Sequence, residues 1–219
     1  ARMDSLHAEL ISRSASEEER VSALGEAARC LTMLERDLEV AQALVLEGQA
    51  LSHRLGMDSD AIADARGLLA AYRGDHEEAR ESFVQARLLA RRSGHRLEEF
   101  LALSHLVILE LEQENWEGVS RHCEEMSTLA ERIRPGSEQP FAAAVRELCR
   151  YISGRSNSLE ALESALQALR FADSKHHISI VCLSAAGLFL QRGDLARARQ
   201  LAAEALDVAG QLNRRRTEA

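Results

Sequence analysis

The chain reads AIADARGLLAAYRGDHEEARESFVQARLLAR at residues 61–91, where two helical patterns meet at one Gly-Asp turn. Gly67 lies on the first pattern, and Ala79, Phe83 and Ala86 follow on the second. The i, i+4, i+7 spacing of these three residues places them on one face of a helix. Small residues let two helix axes approach closely, and Phe83 can fill the space that is left. The stretch therefore predicts one complete helix hairpin.

The composition of the whole chain favours an almost entirely helical fold. Its 219 residues are 46% hydrophobic and 28% charged, with two prolines and twelve glycines, so the chain can bury a sizeable core. The strong helix formers Ala, Leu, Glu and Arg are abundant. The one β-branched run, at 177–181, leads into a helical pattern and is interpreted as a helix start. We expect a single all-α domain over residues 1–219.

The two-helix pattern recurs along the chain. Hairpins are predicted at residues 19–56, 59–93, 97–133, 141–173 and 176–212, after a single N-terminal helix at 3–13. The predicted turn residues Arg36, Gly74, Glu114, Ser156 and Gly193 are separated by 38, 40, 42 and 37 residues. Because each hairpin can bury its apolar face only against its neighbours, a continuous solenoid of eleven helices is the simplest prediction.

The second hairpin resembles a tetratricopeptide repeat (TPR). That family has small, aromatic, Gly, small, large and small residues at the positions held here by Gly67, Ala70, Gly74, Ala79, Phe83 and Ala86. The fifth hairpin has the corresponding residues Ala186, Phe189, Gly193, Ala198, Ala202 and Ala205. The sequence departs from the family at Ala70, where Tyr is usual, and in its longer repeat. The resemblance covers residues 19–212 and implies a right-handed α-α superhelix of the extended type found in bacterial signalling and regulatory proteins.

The resemblance also implies a concave groove lined by the first helix of each hairpin. Carried over to this sequence, the partner-binding positions are Asp64, Leu68, Tyr72, His105, Ile108, Glu112, Arg146, Arg150, Leu183 and Gln191, with Cys30, Met33 and Ser104 as further groove positions. The alternative at each position is an ordinary packing role. Since acidic and basic groove positions fall in different hairpins, we expect a partner that carries both charges.

The charges and cysteines exclude several other classes of function. A net charge of −8 lacks the basic surface that nonspecific nucleic-acid binding needs, and the local exception at 214–216 is interpreted as a helix end. The four cysteines are scattered without CxxC or metal-ligand spacing, which indicates reduced thiols and a cytoplasmic location. No apolar run approaches the ~18 residues of a membrane span.

Motifs for catalysis are missing from the sequence. It has no HExxH, no Gly-rich phosphate loop and no GxSxG. The adjacent His176 and His177 would point about 100° apart on a helix, which does not suit joint metal ligation. The Arg-Gly-Asp tripeptides at 73–75 and 192–194 match the turn that the hairpins require. We therefore expect neither an enzyme nor a bound cofactor or metal.

The sequence predicts a non-enzymatic scaffold that binds a protein or peptide segment in the groove. The alternative is a sensory or regulatory module of a bacterial signalling protein, such as a diguanylate cyclase, a sensor kinase or a transcriptional regulator. Residues 194–212 carry apolar residues on two sides of one helix, including Leu206. A terminal repeat should instead have a polar outer face. We therefore expect a downstream domain or a second subunit to pack there.

Overall fold

The computed structural model describes residues 16–133, 136–155 and 159–212. These residues form ten α-helices and no strand, which confirms the all-α prediction. The helices are α1 (Glu17–Met33), α2 (Leu38–Leu55), α3 (Asp60–Arg73), α4 (His76–Ser93), α5 (Arg96–Glu112), α6 (Trp116–Ala130), α7 (Glu138–Ile152), α8 (Leu159–Phe171), α9 (Lys175–Gln191) and α10 (Leu195–Leu212). The count differs from the predicted eleven, since the helix at 3–13, like Ser156 and residues 214–216, lies outside the described residues.

The chain divides into two compact units, Ala1–Leu109 and Glu110–Ala219, with the division inside α5. In the first unit α1 packs against α2 and α3, and α3 packs against α2 and α4. In the second unit α7 packs against α6, α8 and α9, while α9 also packs against α8 and α10. Most helices that follow one another within a unit are thus packed neighbours, which is compatible with a helical repeat.

Local signals in the sequence fix where several helices begin. The Ser16 hydroxyl accepts a hydrogen bond from the Glu19 amide at 3.1 Å, and the Glu19 carboxylate accepts one from the Ser16 amide at 3.3 Å. This reciprocal pair satisfies two amides that the first turn of α1 leaves without helical partners. Asp75 caps α4 with a single hydrogen bond, because its carboxylate accepts from the Glu78 amide at 3.1 Å.

The turns of the hairpins use the left-handed backbone region whether or not they contain glycine. Gly74 and Gly193 have φ values of 80° and 79°, whereas Glu35 and Glu114 reach 52° and 53° with a side chain present. Glycine adopts this region without the steric cost that a Cβ brings. The geometry of the turn is therefore common to the hairpins, and glycine is one of several residues that supply it.

Close packing in the second hairpin depends on the glycine that the sequence analysis singled out. A Cβ at Gly67 would lie 2.5 Å from Cε1 of Phe83, so the ring occupies the volume that a larger residue would need. Phe83 is 1% exposed, and Ala79 and Ala86 are buried on either side of it. The first unit therefore has the interlocked hairpin that the spacing predicts.

Aromatic contacts join two first helices of the second unit. The Phe141 ring of α7 stacks on the His177 ring of α9, with centroids 4.0 Å apart. Tyr151 of α7 lies 5.7 Å from Phe189 of α9. Of the six repeat markers in the fifth hairpin, Ala186, Phe189, Ala198 and Ala205 are buried, and Gly193 forms the turn. Ala202 is exposed, so the expected packing role does not hold at that position.

Candidate partner-binding surfaces

A cluster of charged side chains joins three first helices of the first unit. An Nη of Arg29 on α1 lies 2.6 Å from a carboxylate oxygen of Glu98 on α5 and 3.8 Å from Oδ2 of Asp64 on α3. The other oxygen of Asp64 lies 2.8 Å from Nδ1 of His105 on α5. The Arg29 side chain is 13% exposed, whereas Asp64 and His105 are buried. Most of the cluster is therefore buried inside the first unit.

The neighbouring carboxylates stabilise the positive charge of Arg29. Burial by itself would lower the pKa of Arg29, but the carboxylates of Asp64, Glu98 and Glu26 outweigh it, and the pKa is raised. Oδ2 of Asp64 is buried and has no hydrogen-bond partner among the described residues. An ionised carboxylate in such a place is costly unless a cation stays close. Arg29 therefore acts as the counter-ion that permits a buried aspartate.

This burial changes the roles expected in the first unit. Asp64 and His105 were predicted to contact a partner, but both are buried, and His105 lies 5.3 Å from the Phe83 ring. They belong to the interior, as the packing alternative proposed. Tyr72 is 38% exposed, and Leu68 and Ile108 are half-buried. These three residues remain at the surface of first helices.

Arg29 and Glu98 were not among the positions predicted from the sequence. Arg29 is one residue before Cys30, which was placed in the groove and is half-buried. A register shifted by one residue would have found it. Glu98 carried no comparable signal, because its partner lies 69 residues away in the sequence. Met33 is half-buried, and Ser104 is buried with its hydroxyl donating to the Leu101 carbonyl at 2.7 Å.

In the second unit the predicted positions lie at the surface. Arg150 is exposed and Arg146 is half-buried, and their guanidinium groups lie 2.9 Å and 3.6 Å from the Glu147 carboxylate. Leu183 on α9 is 48% exposed. Gln191 is exposed and donates to Glu114 at 3.3 Å. Glu112, at the end of α5, is exposed as well.

A repeated burial pattern shows which surface positions correspond. The buried residues of α7 recur on α9 after 37 residues: they are 141, 142, 144, 145, 148 and 149 on α7, and 178, 179, 181, 182, 185 and 186 on α9. The same shift relates Arg146 to Leu183. Because α7 and α9 also pack against each other, successive first helices place a cation and an apolar side chain at equivalent positions. Leu190, seven residues after Leu183, is 59% exposed on the same face of α9.

The described residues offer no metal centre and no membrane-spanning element. They contain no group of three or more His, Cys, Asp or Glu side chains placed to hold a metal ion. Among the same residues, no helix combines the length and the apolar character needed to cross a bilayer. Comparison of the chain with protein-family models, with curated proteins and with solved structures found no match. The TPR resemblance therefore rests on the repeat pattern and on the packing of neighbouring helices.

Proposed function

We propose that the chain is a TPR-like helical repeat protein that binds a protein or peptide segment without catalysis. The binding surface is the outward side of the first helices. The observation that carries the proposal is the face of α9, where Leu183 and Leu190 are 48% and 59% exposed and lie seven residues apart. Two large apolar side chains on one helix face are suitable anchors for a bound segment.

The partner class follows from the side chains at this surface. Leu183 and Leu190 favour a segment with apolar anchor residues, because burying the exposed half of each leucine contributes on the order of 1 kcal/mol. Arg146, at the equivalent position on α7, and Arg150, one turn later, favour carboxylates in the same segment. Such exposed charges affect the association rate and its salt dependence more than the final affinity. We therefore infer an acidic and apolar peptide as the ligand of the second unit.

A matched pair of leucines tests this assignment. Leu183 and Leu206 are 48% and 50% exposed and lie on the two helices of the fifth hairpin. Peptides are selected from a random phage-displayed library on the whole chain and then measured against Leu183→Ser and Leu206→Ser. We expect Leu183→Ser to weaken binding about tenfold, which corresponds to roughly 1.4 kcal/mol, and Leu206→Ser to have no effect. Equal affinity of both variants and the wild type would contradict the proposal.

The charge assignment has its own control. Arg146→Glu combined with Arg150→Glu should weaken binding of the selected peptides and reverse its salt dependence. Arg121→Glu changes an exposed arginine on the second helix α6, where it pairs with Glu117, and should leave binding unchanged. If both variants weaken binding equally, the general charge of the protein is responsible and the α7 surface is not the site.

A second candidate function is a regulatory module of a signalling protein, and one observation favours it. Leu195 and Leu206 of α10 are 60% and 50% exposed on a second helix, outside the proposed peptide surface. An output domain could pack on this face. If this function is correct, Leu206→Ser should weaken association and Leu183→Ser should have no effect, because the partner would pack on α10. A cytoplasmic location suits both candidates, and the four free thiols support it.

A further inference from the structure

The outward face of α4 carries three kinds of side chain in order along the helix. Val84 and Leu88 lie at its centre and are 42% and 47% exposed. Exposed carboxylates of Glu77 and Glu81 precede them, and exposed arginines follow them. Residues 77, 81, 84, 88 and 91 follow one another at alternating intervals of four and three, which keeps them on one side of a helix. This α4 stripe is therefore acidic at one end, apolar in the middle and basic at the other end.

Most charges of the α4 stripe have no counter-ion within the chain. Glu77, Glu81 and Arg92 form no ion pair with any residue that the structure describes. Arg91 is the exception, because its Nε lies 2.6 Å from a carboxylate oxygen of Glu99. The stripe also lies on a second helix, outside the first-helix surface proposed for peptide binding. Its apolar centre and its charges are therefore available to another molecule.

The second helix α2 shows that exposed apolar residues alone do not form such a stripe. Val40 and Leu46 are exposed on α2 as well, but their separation of six residues places them on different sides of the helix. Glu47 and Arg54 of α2 are both paired with residues of α1, at 2.6 Å and 2.9 Å. The α2 helix therefore lacks an apolar centre between unpaired carboxylates and arginines.

We propose that a second copy of the chain docks on the α4 stripe, with the two α4 helices antiparallel. In this twofold-symmetric arrangement, Val84 and Leu88 of one copy cover the same residues of the other. Glu81 lies opposite Arg91 and Arg92 of the other copy, since these positions are almost equally far from the centre of the stripe. Each acidic end therefore meets a basic end. A parallel pair would place like charges opposite each other, which is unfavourable.

The size of the contact sets the strength of the association. The α4 stripe is roughly 22 Å long from residue 77 to residue 92, at the usual rise of an α-helix. A contact limited to one pair of helices of this length lies at the low end of the size range of protein interfaces. We therefore expect a reversible dimer that forms as the protein concentration rises.

Sedimentation of the whole chain over a range of concentrations tests the proposal. The wild type should pass from monomer to dimer, and Leu88→Ser should weaken the dimer about thirtyfold, because it removes two leucines from a symmetric interface. Leu46→Ser on α2 and Leu206→Ser on α10 are matched controls, since these leucines are 56% and 50% exposed on other second helices. Both should dimerise as the wild type does. A wild-type monomer at every concentration, or equal weakening by a control, would overturn the proposal.

Charge reversals test the antiparallel orientation. Glu81→Arg and Arg92→Glu should each weaken the dimer about tenfold, because each places like charges opposite one another at both ends of the stripe. In a parallel dimer neither reversal would add repulsion, since like charges already face each other. A mixture of the two variants restores opposite charges at both ends and should form a heterodimer.

The control for Arg92→Glu is Arg199→Glu. Arg199 is exposed on α10 and, like Arg92, has no ion pair within the described part of the chain. The Arg199→Glu variant should dimerise as the wild type does. Full dimerisation of both Glu81→Arg and Arg92→Glu, or a mixture of these two variants that stays monomeric, would contradict the antiparallel pairing.

Discussion

The second hairpin, α3–α4, and the fifth, α9–α10, share a Gly-Asp turn but place their large aromatic residue on different helices. In the second hairpin Phe83 is on α4 and faces Gly67 on α3. Counting from the turn, the fifth hairpin has Phe189 on its first helix and Ala202 where the second has Phe83. Each hairpin therefore uses one buried aromatic ring to fill the space between its helices, and either helix can supply it.

The difference in burial at these equivalent positions shows what covers a second helix. Phe83 is 1% exposed and lies against His105 of α5, the next first helix. Ala202 is exposed on α10, and the described residues contain no helix after α10. A position on the second helix is thus buried by the hairpin that follows. An alanine at 202 suits an uncovered position, since it exposes little apolar area.

The largest expected effect comes from removing the aromatic residue of the second hairpin. Phe83→Ala should lower the free energy of unfolding by about 3 to 5 kcal/mol, because a fully buried ring leaves a cavity. Ala202→Phe, which places a ring at the equivalent exposed position, should change it by less than ~0.5 kcal/mol. Urea denaturation measures both. If Phe83→Ala left the midpoint unchanged, the contrast between a buried position 83 and an exposed position 202 would be wrong.

The comparison extends to a charged position. Asp64 on α3 corresponds to Leu183 on α9, but Asp64 is buried with Arg29 as its counter-ion. Arg29→Met should lower the free energy of unfolding by roughly 3 kcal/mol, since it leaves an uncompensated buried carboxylate. Adding Asp64→Leu, the residue of the fifth hairpin, should restore much of that loss. Urea denaturation of Arg29→Met, Asp64→Leu and the double variant measures the coupling, and strictly additive losses would contradict a direct interaction.

A smaller effect is expected from changing Gly67 to the residue of the fifth hairpin. Gly67→Ala should lower the free energy of unfolding by about 1 to 2 kcal/mol, because the new Cβ meets the Phe83 ring. In the Phe83→Ala background the clash is gone, and the helix propensity of alanine should make the same change stabilising by up to ~1 kcal/mol. A double-mutant cycle measured in urea gives the interaction. The same sign of effect in both backgrounds would argue against ring contact.

The thiol at position 182 of the fifth hairpin should give stability a pH dependence that an alanine at the equivalent position cannot give. Cys182 on α9 corresponds to Ala63 on α3. Burial raises the pKa of Cys182 from 9.0 to about 12. The unfolded chain therefore loses this proton first, so the contribution is complete below pH 9.0 and declines as the pH rises toward 12. Unfolding midpoints of wild type and Cys182→Ala should diverge over this interval and run parallel below it. Parallel midpoints at all pH values would show that the thiol titrates normally.

The smallest effect on stability is expected at the uncovered face of α10. Leu206→Glu should change the free energy of unfolding by less than ~0.5 kcal/mol if nothing packs on this half-exposed side chain. Light scattering of the same variant tests self-association. A wild-type dimer that dissociates after the substitution would identify a second copy as the cover of α10, and a wild-type monomer would exclude it.

The sequence predicts what depends on neighbouring turns of one hairpin, and it does not predict contacts between distant helices. Gly67, Phe83 and the Gly-Asp turns follow a local spacing, so the helices of the second and fifth hairpins could be placed. The burial of Asp64 depends on Arg29 and His105, which lie 35 and 41 residues away, and no local pattern reports them.

The Arg29–Glu98 ion pair connects α1 of the first hairpin to α5 of the third hairpin. It lies next to Asp64 on α3, a helix of the second hairpin. In an ideal linear array, each repeat interacts with its immediate neighbours only, so an end repeat can fray while the others stay folded. A contact between repeats one and three adds a next-nearest-neighbour coupling. Opening of α1 then costs interactions on α5 as well, and the hairpins of the first unit should exchange their amide hydrogens as one cooperative block.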